Sequence, residues 1–171
     1  MDTLPCKDFG LLSPETSDRL FDSYKNELVQ HYPVVILPKH LSPDQIRKSK
    51  PILFQAIVTA AACQLEPALF GDLFSEIVKV YAERIFIYGE KSLGPIQSLL
   101  LTSIWYCPPN GRCGPQNLHF SQYIHMAATM AMDLGIGLAV DMSVDECRAL
   151  LACYLTCARY DLAWSSLLLT F

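Results

Sequence analysis

Three sets of residues in this 171-residue chain have the types that could do chemistry: seven cysteines, four histidines and the tetrapeptide Gly89-Glu90-Lys91-Ser92. The tetrapeptide looks like part of a phosphate-binding loop. Such a loop needs the order G-x-x-x-x-G-K-[ST] after a strand, so that backbone amides converge on a phosphate. Here Glu90 separates Gly89 from Lys91, no glycine stands five residues earlier, and the preceding segment has helical periodicity. A helix–helix joint accounts for every residue: Gly89 ends one helix, Ser92 caps the next, and Glu90 and Lys91 lie in the solvated turn.

The other sets do not converge either. The cysteines stand at 6, 63, 107, 113, 147, 153 and 157, with no C-x-x-C pair for a zinc ribbon or a thioredoxin-type redox site. Their odd number, with an acidic, proline-containing N-terminus in place of a secretory leader, suggests reduced structural thiols. His31, His40, His119 and His125 form no H-E-x-x-H motif, and His119 and His125 fall on different helix faces. There is no G-x-S-x-G elbow. The carboxylate pairs Glu15/Asp18 and Asp145/Glu146 sit in first helical turns, where the helix dipole favours them anyway. No catalytic, cofactor-binding or metal-binding residue is assigned, and the chain is not expected to be an enzyme.

Two further groups have binding rather than catalytic potential. Lys39, Arg47, Lys48 and Lys50 form a local basic cluster that suits a weak nuclear-import signal, a phosphate-facing patch or a solvated helix face. Trp105, Tyr106, Tyr123, Met126, Met130 and Met132 could line a small-molecule pocket or simply fill a core. The formal net charge of −4 is the wrong sign for a chain whose task is gripping nucleic-acid phosphates.

The elements that must position these residues read as helices throughout. Hydrophobic residues make up 51% and charged residues 18% of the chain, a balance that commits it to burying a core. Ser13-Pro14-Glu15 opens a helix continuing to His31, and "HYPVVILPKHL" follows as a proline-bounded, buried connector. Ser42 and Gln45 form a capping box, and Pro51 opens an all-round apolar, central helix. Pro67 opens an amphipathic helix through Leu69, Leu73, Ile77, Val80, Tyr81, Arg84 and Ile87, ending at Gly89. Leu93–Trp105 is the next helix, with Ile96, Leu99, Leu100, Ile104 and Trp105 carrying it into the core. A turn-rich loop runs from Cys107 to Asn117, and a further helix stops at Gly135. Ser143 and Glu146 cap a last apolar segment, which reads as a buried helix because Arg148, Arg159 and Asp161 interrupt it. The predicted fold class is all-α, with a lead-in at 1–12 and one helical region at 13–171, truncated at its C-terminus.

Five segments in this order, "HYPVVILP", "KPILFQAIVTAA", "AERIFIYGEKSLGPIQSLLLTSIWYCPP", "MAATMAMDLGIG" and "ECRALLACYLTC", resemble the middle homology region of fungal-specific transcription factors. These are regulators that carry a six-cysteine binuclear zinc cluster. The resemblance covers roughly Leu20 to Cys157 and rests on Pro33, Gly89, Glu90, Lys91, Ser92, Leu93, Gln97, Trp105, Tyr106, Asp133, Leu134 and Gly135. It implies a helical regulatory domain that acts through protein partners (itself or related regulators) or a small-molecule inducer, in the nucleus. Without an import signal the chain would stay in the cytoplasm. In the family, DNA is contacted by a separate zinc-cluster module; its cysteines, basic flank and heptads have no counterpart here, so zinc and DNA are expected only through that module. No membrane role is implied. Arg148-Ala149-Leu150 departs from the Arg-Arg-aromatic pattern of the last motif. Two other roles fit: a stand-alone helical module that sequesters a related regulator as a dominant negative and, more remotely, a helical enzyme with an unrecognised site.

Overall fold

The computed structural model describes residues 11–105, 119–138 and 141–168. Among them are seven α-helices, one 3-10 turn, one π-helical segment and no strand, so the fold is all-α as the sequence predicts. The predicted loop at 107–117, with Tyr106, lies outside the described residues. Contacts group the chain into two compact units, one ending at Glu90 and one beginning at Lys91. No composition break marks this division within the predicted region 13–171.

In the first unit, α1 spans Pro14–Asn26, with Ser13 as N-cap accepting from the Thr16 N–H at 3.2 Å and Pro14 inside the first turn. It buries Leu20, Phe21 and Tyr24. The helix stops at Asn26, short of the predicted His31, and a 3-10 turn at Leu28–Gln30 follows. The connector is only half buried: Val34 and Val35 are inside, and Ile36 is exposed. It is pinned by polar contacts, since the Tyr24 hydroxyl donates to the Val35 carbonyl at 3.2 Å and the Lys25 ammonium donates to the Lys39 and Leu41 carbonyls. Burial pushes the Tyr24 phenol's pKa up, so it stays a donor.

Helix α2 (Pro43–Ser49) begins with the predicted capping box: Ser42 Oγ accepts from the Gln45 N–H and Gln45 Oε1 accepts from the Ser42 N–H. Helix α3 (Pro51–Leu65) is buried from Ile52 to Ala62 and packs on α1, α2 and α4. Each fully buried side chain such as Leu53 or Ile57 contributes roughly 1.5–3 kcal/mol.

Helix α4 (Pro67–Tyr81) buries Phe70, Leu73, Phe74, Ile77 and Tyr81. The sequence predicts one α-helix up to Gly89; instead residues Ala82–Ile87 form a π segment, in which the Tyr88 N–H donates five residues back to Glu83. The wider turn breaks the α register. Arg84 stays inside, whereas Ile87, expected on the buried face, points outward with Phe86 and Tyr88.

In the second unit, α5 (Leu93–Ile104) packs on α6 (His119–Asp133) and α7 (Val144–Leu168), and α6 packs on α7. Ile96, Leu99, Leu100 and Leu101 of α5 are fully buried, and the buried Ser98 and Ser103 satisfy their hydroxyls on the carbonyls of Gly94 and Leu100. Ile104 is part-exposed at the last turn rather than in the core. Helix α6 buries Tyr123, Ile124, Ala127, Met130 and Ala131. It ends in a Schellman motif: Ile136 N–H donates to Ala131, Gly135 N–H to Met132, and Gly135 takes φ 69°.

Helix α7 opens on the predicted capping box, with the Glu146 carboxylate accepting from both the N–H and the hydroxyl of Ser143. The expectation of a buried helix does not hold for the first part of α7, up to Ala158, where the side chains are described. Among the described side chains of this part, the buried ones are Ala149, Ala152, Cys153 and Thr156, while Leu151, Tyr154 and Leu155 face outward. Small side chains let helix axes approach closely, at the expense of leaving the large ones on the far side. Among the described residues, no helix is long and apolar enough to cross a membrane.

Candidate functional site

The segment from Arg84 to Ser92 concentrates the residues singled out in the sequence. Its backbone is a turn, not a phosphate cradle. Gly89 takes φ 65°, a left-handed conformation that costs a residue with a Cβ about 1–2 kcal/mol. The Glu90 N–H then donates to the Arg84 carbonyl at 2.9 Å, and the Glu90 carboxylate receives Nε and Nη2 of Arg84, both at 2.6 Å. Arg84 is almost wholly buried, so this pair holds a charge that would otherwise be stranded. Arg84 falls on the amphipathic stripe of the sequence, which by itself names no partner for it. Its charge inside an apolar run, six residues before Glu90, was the available signal.

Beyond Glu90 the chain belongs to the second unit. Lys91 pairs there with Asp133 at the end of α6, which brings together residues of the "GEKSL" and "MDLG" motifs, 42 positions apart. Both are half exposed, so the pair specifies an arrangement more than it stabilises one. Ser92 occupies the N-cap position of α5 in extended geometry, but its side chain makes no capping hydrogen bond. The expected Ser92 cap is therefore positional only. Leu93 begins α5, half buried; Leu134 is exposed beside Gly135, and Pro33 is exposed in the connector.

Gln97 is the buried polar residue of α5 without a structural account. It is 1% exposed and its Oε1 finds no partner among the described residues. Trp105, at the C-cap of the same helix, likewise has a buried Nε1 with no partner among the described residues. Of the aromatic and methionine set, Tyr123 and Met130 are core residues, Met126 is intermediate, and Met132 is exposed on α6. Tyr106 is not among the described residues. Met132 thus faces away from the buried Tyr123 and Met130.

The basic cluster is also divided. Lys39 and Lys48 are exposed and Lys50 is intermediate. Arg47 is turned inward: its guanidinium contacts Asp44 at 2.8 Å, Ser17 at 3.0 Å and Asp18 at 3.2 Å, and stacks 4.6 Å from the centroid of Phe54. That set binds α2 to α1 and α3 and takes the one arginine out of any phosphate-facing patch.

Among the described residues no three histidines, cysteines or carboxylates gather as a metal site. Cys147 is exposed, Cys63 and Cys157 are intermediate, and Cys153 is buried. Burial, with a smaller contribution from Cys157, pushes the Cys153 thiol up to about 11, so it is unreactive near neutral pH.

No family profile matches the chain, and no solved structure matches it. It is similar to transcription factor himD of Aspergillus japonicus, 33% identical over 127 residues that cover 74% of this chain and 20% of himD. It is also similar to transcription factor pbcR of Emericella nidulans, 28% identical over 129 residues, 74% of this chain and 17% of pbcR. Weak acid resistance protein 1 of Saccharomyces cerevisiae is 29% identical over 104 residues, 57% of this chain and 11% of that protein. The chain thus spans a fifth or less of the length of the curated relatives it matches, and its homologues are fungal transcription factors.

Proposed function

We propose that this chain is a helical regulatory region of the fungal transcription-factor type, equivalent to the middle homology region, which acts by binding a protein partner or a small inducer. One observation carries the reading: similarity to two transcription factors over about three-quarters of the chain. The pairing of Lys91 with Asp133, which unites two of the motifs behind the resemblance, supports it. In this reading the chain is not an enzyme and works in the nucleus. DNA and zinc are handled by a separate module, which fits the negative charge and the inward-turned Arg47. The exposed apolar face of α7 favours protein contact over an inducer as the mode of action, and also suits a module that sequesters a related regulator.

The test is a reporter assay with the chain fused to an unrelated DNA-binding module and, separately, co-expressed unfused with a related full-length regulator. A change in reporter output from the fusion supports the regulatory reading. Loss of the full-length regulator's activity on co-expression supports sequestration. No effect in either arm sinks both.

A further inference from the structure

Between Val144 and Ala158, helix α7 carries its large apolar side chains on the side away from α5 and α6. Val144 is 64% exposed, Leu151 57%, Tyr154 70% and Leu155 50%, while the buried side chains of α7 among the described residues are Ala149, Ala152, Cys153 and Thr156. The exposed residues recur at 144, 147, 151 and 154/155, with the half-buried Ala158 next on the same stripe, in alternating steps of three and four. That is the spacing of a helix seam meant for another helix. The neighbouring turn extends the surface: a Cβ on Gly137 would stand 3.2 Å from Leu150, so the exposed Leu138 borders the same helix.

We infer that this face is the interface of a symmetric dimer in which α7 pairs antiparallel with α7 of a second copy, about a two-fold axis near Leu151. The seam is complementary to itself in that direction. Tyr154, its largest side chain, faces the small Cys147 of the second copy, Val144 faces Ala158, and Leu151 meets its equivalent. A parallel pairing would instead place tyrosine on tyrosine and cysteine on cysteine, which packs less evenly. Antiparallel helices also oppose their dipoles. Side chains of this size, exposed by half or more, offer on the order of 100 Å² each. Leu138, Val144, Leu151, Tyr154 and Leu155 therefore present roughly 500 Å² per copy and about twice that across the pair, the scale at which specific association begins.

This inference rests on the protein-contact reading above, and names the partner as a second copy of the chain. The experiment is light scattering on the size-fractionated full chain, beside a Leu151→Asp/Tyr154→Asp variant. Both replaced residues are exposed, so helical circular dichroism should be unchanged. The expected result is twice the monomer mass for the parent and the monomer mass for the variant. A parent that stays monomeric at 100-fold higher loading, or a variant that still dimerises, overturns the proposal. The register has its own readout, Leu151→Cys, placed at the two-fold axis. Mild oxidation should cross-link it covalently, whereas the parent should not cross-link through Cys147, whose copies lie about 12 Å apart along the axes. A Cys147–Cys147 cross-link in the parent would refute the antiparallel pairing. A monomeric parent with an active reporter fusion removes the dimer and leaves the regulatory function; a dimer with a silent fusion does the reverse.

Discussion

Arg47 and Lys48 are neighbours in sequence and opposites in role. Arg47 makes planar, multi-donor contacts with two carboxylates, a hydroxyl and an aromatic face, whereas Lys48 is exposed on α2. Lysine lacks the fork geometry and the stacking plane. Arg47→Lys should therefore lower stability by about 1–2 kcal/mol in urea melts, and Lys48→Ala should change it by less than ~0.5 kcal/mol. A basic cluster in a sequence does not reveal which member is turned inward, because that depends on Asp18 and Phe54 arriving from other helices. At Gly89 the sequence was more informative. A glycine closing an amphipathic run predicts a left-handed residue, and φ is 65°. Gly89→Val should lower the melting free energy by at least about 1–2 kcal/mol, since a β-branched residue resists positive φ. A melt unchanged from the parent would contradict that geometry. Ser92 shows the limit, for its N-cap position was legible and its missing capping bond was not.

At the scale of elements, the helix starts were written most clearly. Ser13-Pro14, Ser42-Pro43 with Gln45, Pro51, Pro67 and Ser143 with Glu146 each begin a helix where local chemistry says they should. Capping is local, so it survives without knowledge of the fold. The capping box of α7 also predicts a pH effect. Hydrogen bonds from the Ser143 hydroxyl and N–H hold the Glu146 carboxyl below its ordinary value of 4.5. A depressed carboxyl stabilises the fold fully above that value and loses its contribution as pH falls through the folded pKa. Ser143→Ala should thus destabilise the chain more at pH 7 than at pH 3, as read from thermal melts at both. An equal effect at the two pH values would show that the carboxylate has no share in the cap. The π segment after α4 was not legible, since periodicity does not reveal a single wider turn, here one that contains Arg84 and accompanies its pairing with Glu90. The orientation of α7 was hidden for a related reason. Apolar residues surround that helix, and periodicity cannot say whether its alanines or its leucines face the core.

For the whole molecule, an all-α chain was plain from patterning alone, while its division after Glu90 was not, because no linker composition accompanies it. The proposed dimer likewise could not be read from sequence, for it depends on which side of α7 is left over. Two thiols on that helix give a way to watch both levels of organisation at once. Cys147 lies open on the seam, and Cys153, six residues on, is buried with its thiol raised to about 11. They form a pair of clocks on a single helix. Alkylation of Cys147, followed by peptide mapping, should be fast in dilute protein and slow as concentration rises and the second copy covers it. Cys153 should label at a rate independent of concentration within the dimeric range and set by local opening of the fold. If both cysteines modified at one common rate, α7 would lack the inner and outer faces described for it.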